Sequence, residues 1–145
     1  MPTLDEILAM WKVDSKVDAT DLTAESQKIY ELHAKYLELW TQERLKSKSL
    51  EFILKKVKLD KRKFYIEGPS KESKEMGWEY PVSGKVLVQE LPLFLDADKQ
   101  LQNHQANLEV SQTKLQALEM ILDMIKYRGN VIARMISREQ WMAGV

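Results

Sequence analysis

The stretch from Leu22 to Tyr65, LTAESQKIYELHAKYLELWTQERLKSKSLEFILKKVKLDKRKFY, decides the fold. Positions 22, 26, 29, 33, 36, 40, 43, 47, 50, 54, 57, 61 and 64 hold Leu, Ser, Ile, His, Tyr, Trp, Glu, Ser, Leu, Leu, Val, Lys and Phe. The spacing alternates between four and three, as in a heptad seam, with polar breaks in the middle and near the end. No Gly or Pro interrupts it before Gly68. A continuous helix over this stretch would be about 66 Å long, whereas a compact globule of this chain length has a radius of gyration of about 15 Å. Such a helix must lie against another long helix, protrude, or be shared between subunits. The alternative is a break in the polar segment Thr41 to Ser49, where the apolar pattern is weakest.

The second half of the stretch carries most of the charge information. Between Arg44 and Lys63 stand nine bases, Arg44, Lys46, Lys48, Lys55, Lys56, Lys58, Lys61, Arg62 and Lys63, against Glu51 and Asp60, a local charge of +7 in a chain of net charge zero. Residues 1–43 sum to −5, 64–98 to −4 and 99–145 to +2. A solubilising helix face alternates signs, while nine bases in 20 residues repel one another unless an anion neutralises them. Phe64 and Tyr65 follow at once, and aromatics beside a cationic track suit single strands, whose bases stack while the phosphates follow the charge. The expected strand-binding residues are Lys55, Lys56, Lys58, Lys61, Arg62, Lys63, Phe64 and Tyr65. Arg44 to Lys48 suits a hinge or subunit contact instead. A solvated face, a protein contact and a membrane surface are the competing readings, the last weakened by the modest apolar face between Lys55 and Lys63.

Outward from this stretch, Thr3-Leu4-Asp5-Glu6 fits a capping box, so a short helix is expected to about Lys12, with Leu4, Ile7, Leu8 and Trp11 as its apolar stripe. Val13 to Thr20 reads as a connection, with Asp18 or Thr20 as the next N-cap. Gly68-Pro69 ends the long helix, and Ser70 to Tyr80 reads as a charged loop. Lys85 to Glu90 has strand-like composition, with Tyr65-Ile66, Trp78 to Tyr80 or another subunit as its partner. Helix resumes at Leu93, with Asp96 and Asp98 as candidate caps, and carries a seam of Leu101, Leu108, Leu115, Leu118, Leu122 and Ile125 interrupted by His104 and Ser111. Arg128-Gly129-Asn130 is a possible kink or end before a last amphipathic helix with Val131, Ile132, Met135, Ile136 and Trp141.

With 145 residues, 44% hydrophobic, five glycines, four prolines and no cysteine, one mainly α domain is expected, soluble and without disulfide or thiolate chemistry. No apolar run approaches the roughly 18 residues of a membrane span, and MPTLDEILAMWK lacks the features of a secretory leader. His33 and His104 have no ligand-spaced partners, so no metal is expected, and isolated glycines form no phosphate loop. No catalytic constellation emerges, no cofactor is implied, and a non-enzymatic protein is expected.

The motifs WKVDSKVDATDL, ESQKIYELHAKYL, RKFYIEG, FLDAD and IKYRGNVIARMI, in this order, resemble the UvsY-like recombination mediators of T4-like phages over nearly the whole chain. The resemblance implies binding of single-stranded DNA, weakening of its coat of phage single-strand-binding protein, and loading of the phage recombinase, in the cytoplasm of the infected bacterial host. It also implies a ring-like homo-oligomer associating through C-terminal helices, here Leu108, Leu115, Leu118, Leu122, Ile125, Ile132, Met135, Ile136 and Trp141. The family's Lys-Ala-Arg-Leu DNA-binding motif falls on Asp60, Lys61, Arg62 and Lys63, where only Arg62 matches. Together these expectations give a mainly α protein of long helices with coiled-coil-like seams and a short β element near 85–90. Residues 1–98 would form the strand-binding region and 99–145 the oligomerisation region of one cooperative domain. The rival is a structural coiled coil or phage-assembly scaffold whose basic face binds an acidic protein partner.

Overall fold

The computed structural model describes residues 2–81 and 85–144. Among the described residues five helices follow in chain order: α1 (Leu4–Asp14), α2 (Leu22–Glu67), α3 (Lys71–Glu75), α4 (Leu91–Ala97) and α5 (Lys99–Met142). The capping box forms as expected, with the Thr3 hydroxyl accepting from the Glu6 amide and the Glu6 carboxylate accepting from Thr3. Asp21, not Asp18 or Thr20, caps α2 by accepting from the Ala24 amide at 3.1 Å, while Asp18 serves the turn before it. α2 runs unbroken through Thr41 to Ser49 and stops where Gly68, at φ +88°, turns left-handed and returns its N–H to the Phe64 carbonyl.

Three expectations need correction. Ser70 to Tyr80 is not simply a loop, because Ser70 and Ser73 cap each other reciprocally and nucleate α3. The strand near 85–90 does not form, and no strand occurs among the described residues. Val86 buries its side chain in an aromatic cluster and donates its N–H to the Tyr80 hydroxyl at 3.0 Å, and 88–90 turn into α4, so the segment is drawn into the core and the turn instead of a ladder. Arg128-Gly129-Asn130 does not end α5, whose helical backbone continues through it to Met142.

The chain forms two compact units, Met1–Lys46 with Ser111–Val145, and Ser47–Val110. The boundary expected between 98 and 99 falls inside the second. In the first, Ile7 of α1, Tyr36 of α2, and Leu118, Ile121 and Ile125 of α5 make the core, flanked by Trp11, Ile29, Leu32, Leu39, Trp40 and Leu122. Trp11 meets Tyr36 edge to face at 5.6 Å. His33 is exposed, because Leu32, Tyr36, Leu39 and Glu43 take the inward face. In the second unit, Phe64, Tyr65, Val86 and Leu91 form the core, flanked by Ile66, Trp78, Tyr80, Phe94 and Leu95. Phe64 stands 5.2 to 5.4 Å from the rings of Tyr65, Trp78 and Tyr80.

Leu108, Leu118, Ile125 and Ile132, expected at a subunit contact, are instead buried within the chain. A seam on α5 finds its complement on α2 of the same chain, so its leucines are used intramolecularly. Leu115, Leu122, Met135 and Ile136 are half-buried, and Trp141 is 81% exposed.

Candidate nucleic-acid interface

Two polar breaks in the α2 seam, Glu43 and Lys61, prove to be buried groups with charged partners, and so does Glu25 beside the seam. Glu43 accepts from the Ser111 hydroxyl at 2.7 Å and pairs with Lys114 at 3.1 Å. Glu25 pairs with Arg128 at 3.1 Å, and the same guanidinium donates to the carbonyls of Asp14 and Lys16 at 2.7 Å, tying down the connection between α1 and α2. Burial alone would raise the Glu25 carboxyl. The Asp18 N–H and the charges of Lys28 and Arg128 outweigh it and hold the group below the usual carboxylate range.

Lys61 is the break that matters for the basic segment. It is only 3% exposed, pairs with Asp98 at 3.0 Å, and donates to Gln100. Its ammonium lies 4.1 Å from the centre of the Trp78 ring, so a dry cation is met by a carboxylate, an amide and an aromatic face. Asp98 also accepts from the Tyr65 hydroxyl at 2.5 Å, and its second oxygen caps α5 through the Gln100 and Leu101 amides at 3.0 Å. Burial would push the Asp98 carboxyl up; the Tyr65, Leu101 and Lys61 donors hold it below the ordinary carboxylate value. Burial and the neighbouring carboxylate raise the Tyr65 phenol.

The eight expected strand-binding residues therefore divide. Lys61, Phe64 and Tyr65 are buried in the second unit and present nothing to a strand, because Trp78, Tyr80, Val86 and the α4 side chains Leu91 and Phe94 pack over the aromatic pair. Lys55, Lys56, Lys58, Arg62 and Lys63 are exposed. Three of them, Lys55, Lys58 and Arg62, line with Leu59, Leu91 and Leu95 a groove of about 560 Å³ against α4. This leaves a face of five cations, with Asp60 half-buried beside it. Arg44 belongs to the first unit, stacked 5.6 Å from the Trp40 ring.

Two features of this region are not legible as such in the sequence. Asp98 appeared only as a cap, although a lysine at seam position 61 already demanded a buried counter-ion somewhere in the chain. Phe52, unlike Phe64, lies off the seam and is 67% exposed. Among the described residues no group of three His, Asp or Glu side chains is placed to hold a metal ion, and no helix is long and apolar enough to cross a membrane.

The arrangement defines a mainly helical protein with a cationic helix face supported by internally neutralised charges. The same fold occurs in the crystal structure of the bacteriophage T4 recombination mediator protein UvsY, with a TM-score of 0.82 over 97% of this chain and 99% of that one, at 21% identity. The family model described as "Recombination, repair and ssDNA binding protein UvsY" matches residues 10–145, and the chain belongs to the UvsY family. No curated protein matches the sequence.

Proposed function

We propose that this chain is a recombination mediator that binds single-stranded DNA without sequence preference through Lys55, Lys56, Lys58, Arg62 and Lys63 on α2. In this reading it promotes loading of a phage recombinase onto strands covered by single-strand-binding protein, inside the infected host cell. The exposed face of one sign carries the reading, since it stands beside a fold and a family associated with recombination and single strands. Cations on a helix surface meet phosphates without reading base edges, so sequence preference is not expected. A few phosphate contacts per subunit bind weakly, and a homo-oligomer multiplies them through effective concentration. The exposed Trp141 and the half-buried Met135 and Ile136 support association through the end of α5. The chemistry proposed is binding alone, with no catalytic step.

Fluorescence anisotropy with a labelled oligothymidylate at several salt concentrations tests this. Wild type should bind with a steep salt dependence. The combined change Lys55→Ala, Lys58→Ala, Arg62→Ala should weaken binding and flatten the slope by about 2 per engaged subunit, at about 0.7 per lost phosphate contact. No binding by wild type at low salt would remove the reading. The second reading, a scaffold whose basic face meets an acidic protein, is favoured by the leucine-lined groove beside Lys55, Lys58 and Arg62, and it would gain from that outcome.

A further inference from the structure

Phe52 is the single aromatic residue between Ser47 and Lys63, and it stands 67% exposed on α2. At about 100° per residue, positions 52, 56, 59 and 63 fall within an arc of about 60°, so Phe52, Lys56, Leu59 and Lys63 share one stripe with Lys55 at its edge. Leu59 is likewise exposed, at 53%. The segment's acids, Glu51 and Asp60, lie outside that arc, and Glu51 is engaged by Lys48 at 3.4 Å. An exposed phenyl ring surrounded by cations is poorly suited to a second copy of the same face, which would bring like charges together. It suits a ligand with flat apolar faces on an anionic backbone.

We propose that Phe52, with Leu59 two turns on, is a base-contact platform: the phenyl face takes a nucleobase while Lys55, Lys56 and Lys63 take the flanking phosphates. This rests on the single-strand reading above and adds to it a part of the affinity that salt does not screen. Stacking of a base on an aromatic side chain corresponds to about 5- to 150-fold in affinity per base.

The test compares the full chain's binding to labelled oligothymidylate and to an abasic strand with the same number of phosphates, by anisotropy across salt concentrations. Wild type should prefer the strand with bases at least about 5-fold. Phe52→Ala should bring that ratio close to 1 and leave the salt slope unchanged, since no cation is lost, while Phe52→Trp should keep the preference. A ratio unchanged in Phe52→Ala would overturn the proposal, as would a smaller oligomer in light scattering, which would make Phe52 a contact between copies. Equal wild-type affinity for both strands would overturn the platform and leave the phosphate-binding reading standing. Binding to neither strand would end both.

Discussion

Replacing Lys61 by alanine separates a structural lysine from a strand-binding one. The ammonium is 3% exposed and is the charge partner of an equally dry Asp98. Removing it strands the carboxylate, and breaking a buried pair from one side costs about 3–5 kcal/mol. That is a large share of the ordinary 5–15 kcal/mol of a domain. At roughly 3–5 °C per kcal/mol for a chain of this size, the melting temperature should fall by about 10–20 °C. Urea unfolding at pH 7 followed by circular dichroism measures the free-energy loss, and thermal unfolding the shift. The double change Lys61→Met, Asp98→Asn should recover at least half of the loss. Methionine keeps an apolar contact with Trp78, and asparagine keeps the oxygen that caps Gln100 and Leu101 without the stranded charge. Strand affinity of the folded fraction should stay within about 2-fold of wild type, since a buried ammonium makes no phosphate contact. Loss of less than about 1 kcal/mol, or loss of strand binding at unchanged stability, would refute this reasoning and return Lys61 to the binding surface.

Three further outcomes can be checked. Arg128→Ala should cost about 3–5 kcal/mol by removing the buried partner of Glu25 and leaving it only the exposed Lys28, and hydrogen exchange should show faster opening of residues 14–21, whose carbonyl contacts at Asp14 and Lys16 are lost. Gly129→Ala should stabilise by about 0.5–1 kcal/mol in thermal unfolding: the position is helical, and an added Cβ would meet the Ile29 Cδ1 at 3.5 Å, an ordinary contact. Asp14, Glu25 and Asp98 all have carboxyls held below their unfolded values. Their contribution is full above about pH 5 and is lost as pH falls through about 4 toward the folded values, so urea midpoints should drop there. Asp98→Asn should make that acid limb shallower while lowering stability at neutral pH.

The fold was largely legible because its signals are local or periodic. The Thr3 box, the Gly68 stop and the four-three spacing from Leu22 each act through the neighbouring backbone or a single helix face. What stayed hidden depends on distant partners. Val86 looked like a strand residue until Tyr80 claimed its N–H, and Gly129 looked like a kink although α5 stays helical through it and its open side faces Ile29. The candidate site was half legible: charge density identified the segment, but whether a given base faces water depends on which other helix passes over it. The seam itself held a clue for Lys61, since a charged residue at a seam position that is covered by a neighbouring helix needs an opposite charge beside it. The α5 leucines show the converse, because a seam announces that it will be covered without saying by which chain.

Glu25 and Glu43 are spaced 18 residues apart, five full turns, and so stand in file along one edge of α2 in the first unit, and Lys61 is a further 18 residues on in sequence. A ladder of leucines tolerates sliding by seven residues with little complaint, because every rung resembles the next. Ions do not. Moving α5 by one heptad in the first unit would set Glu43 against Leu118 and Ile121 in place of Ser111 and Lys114, leaving a naked carboxylate in hydrocarbon. The buried charges thus act as addresses: they add little to the strength of the pairing, but they make one alignment of two nearly repetitive helices answer and the others fall silent.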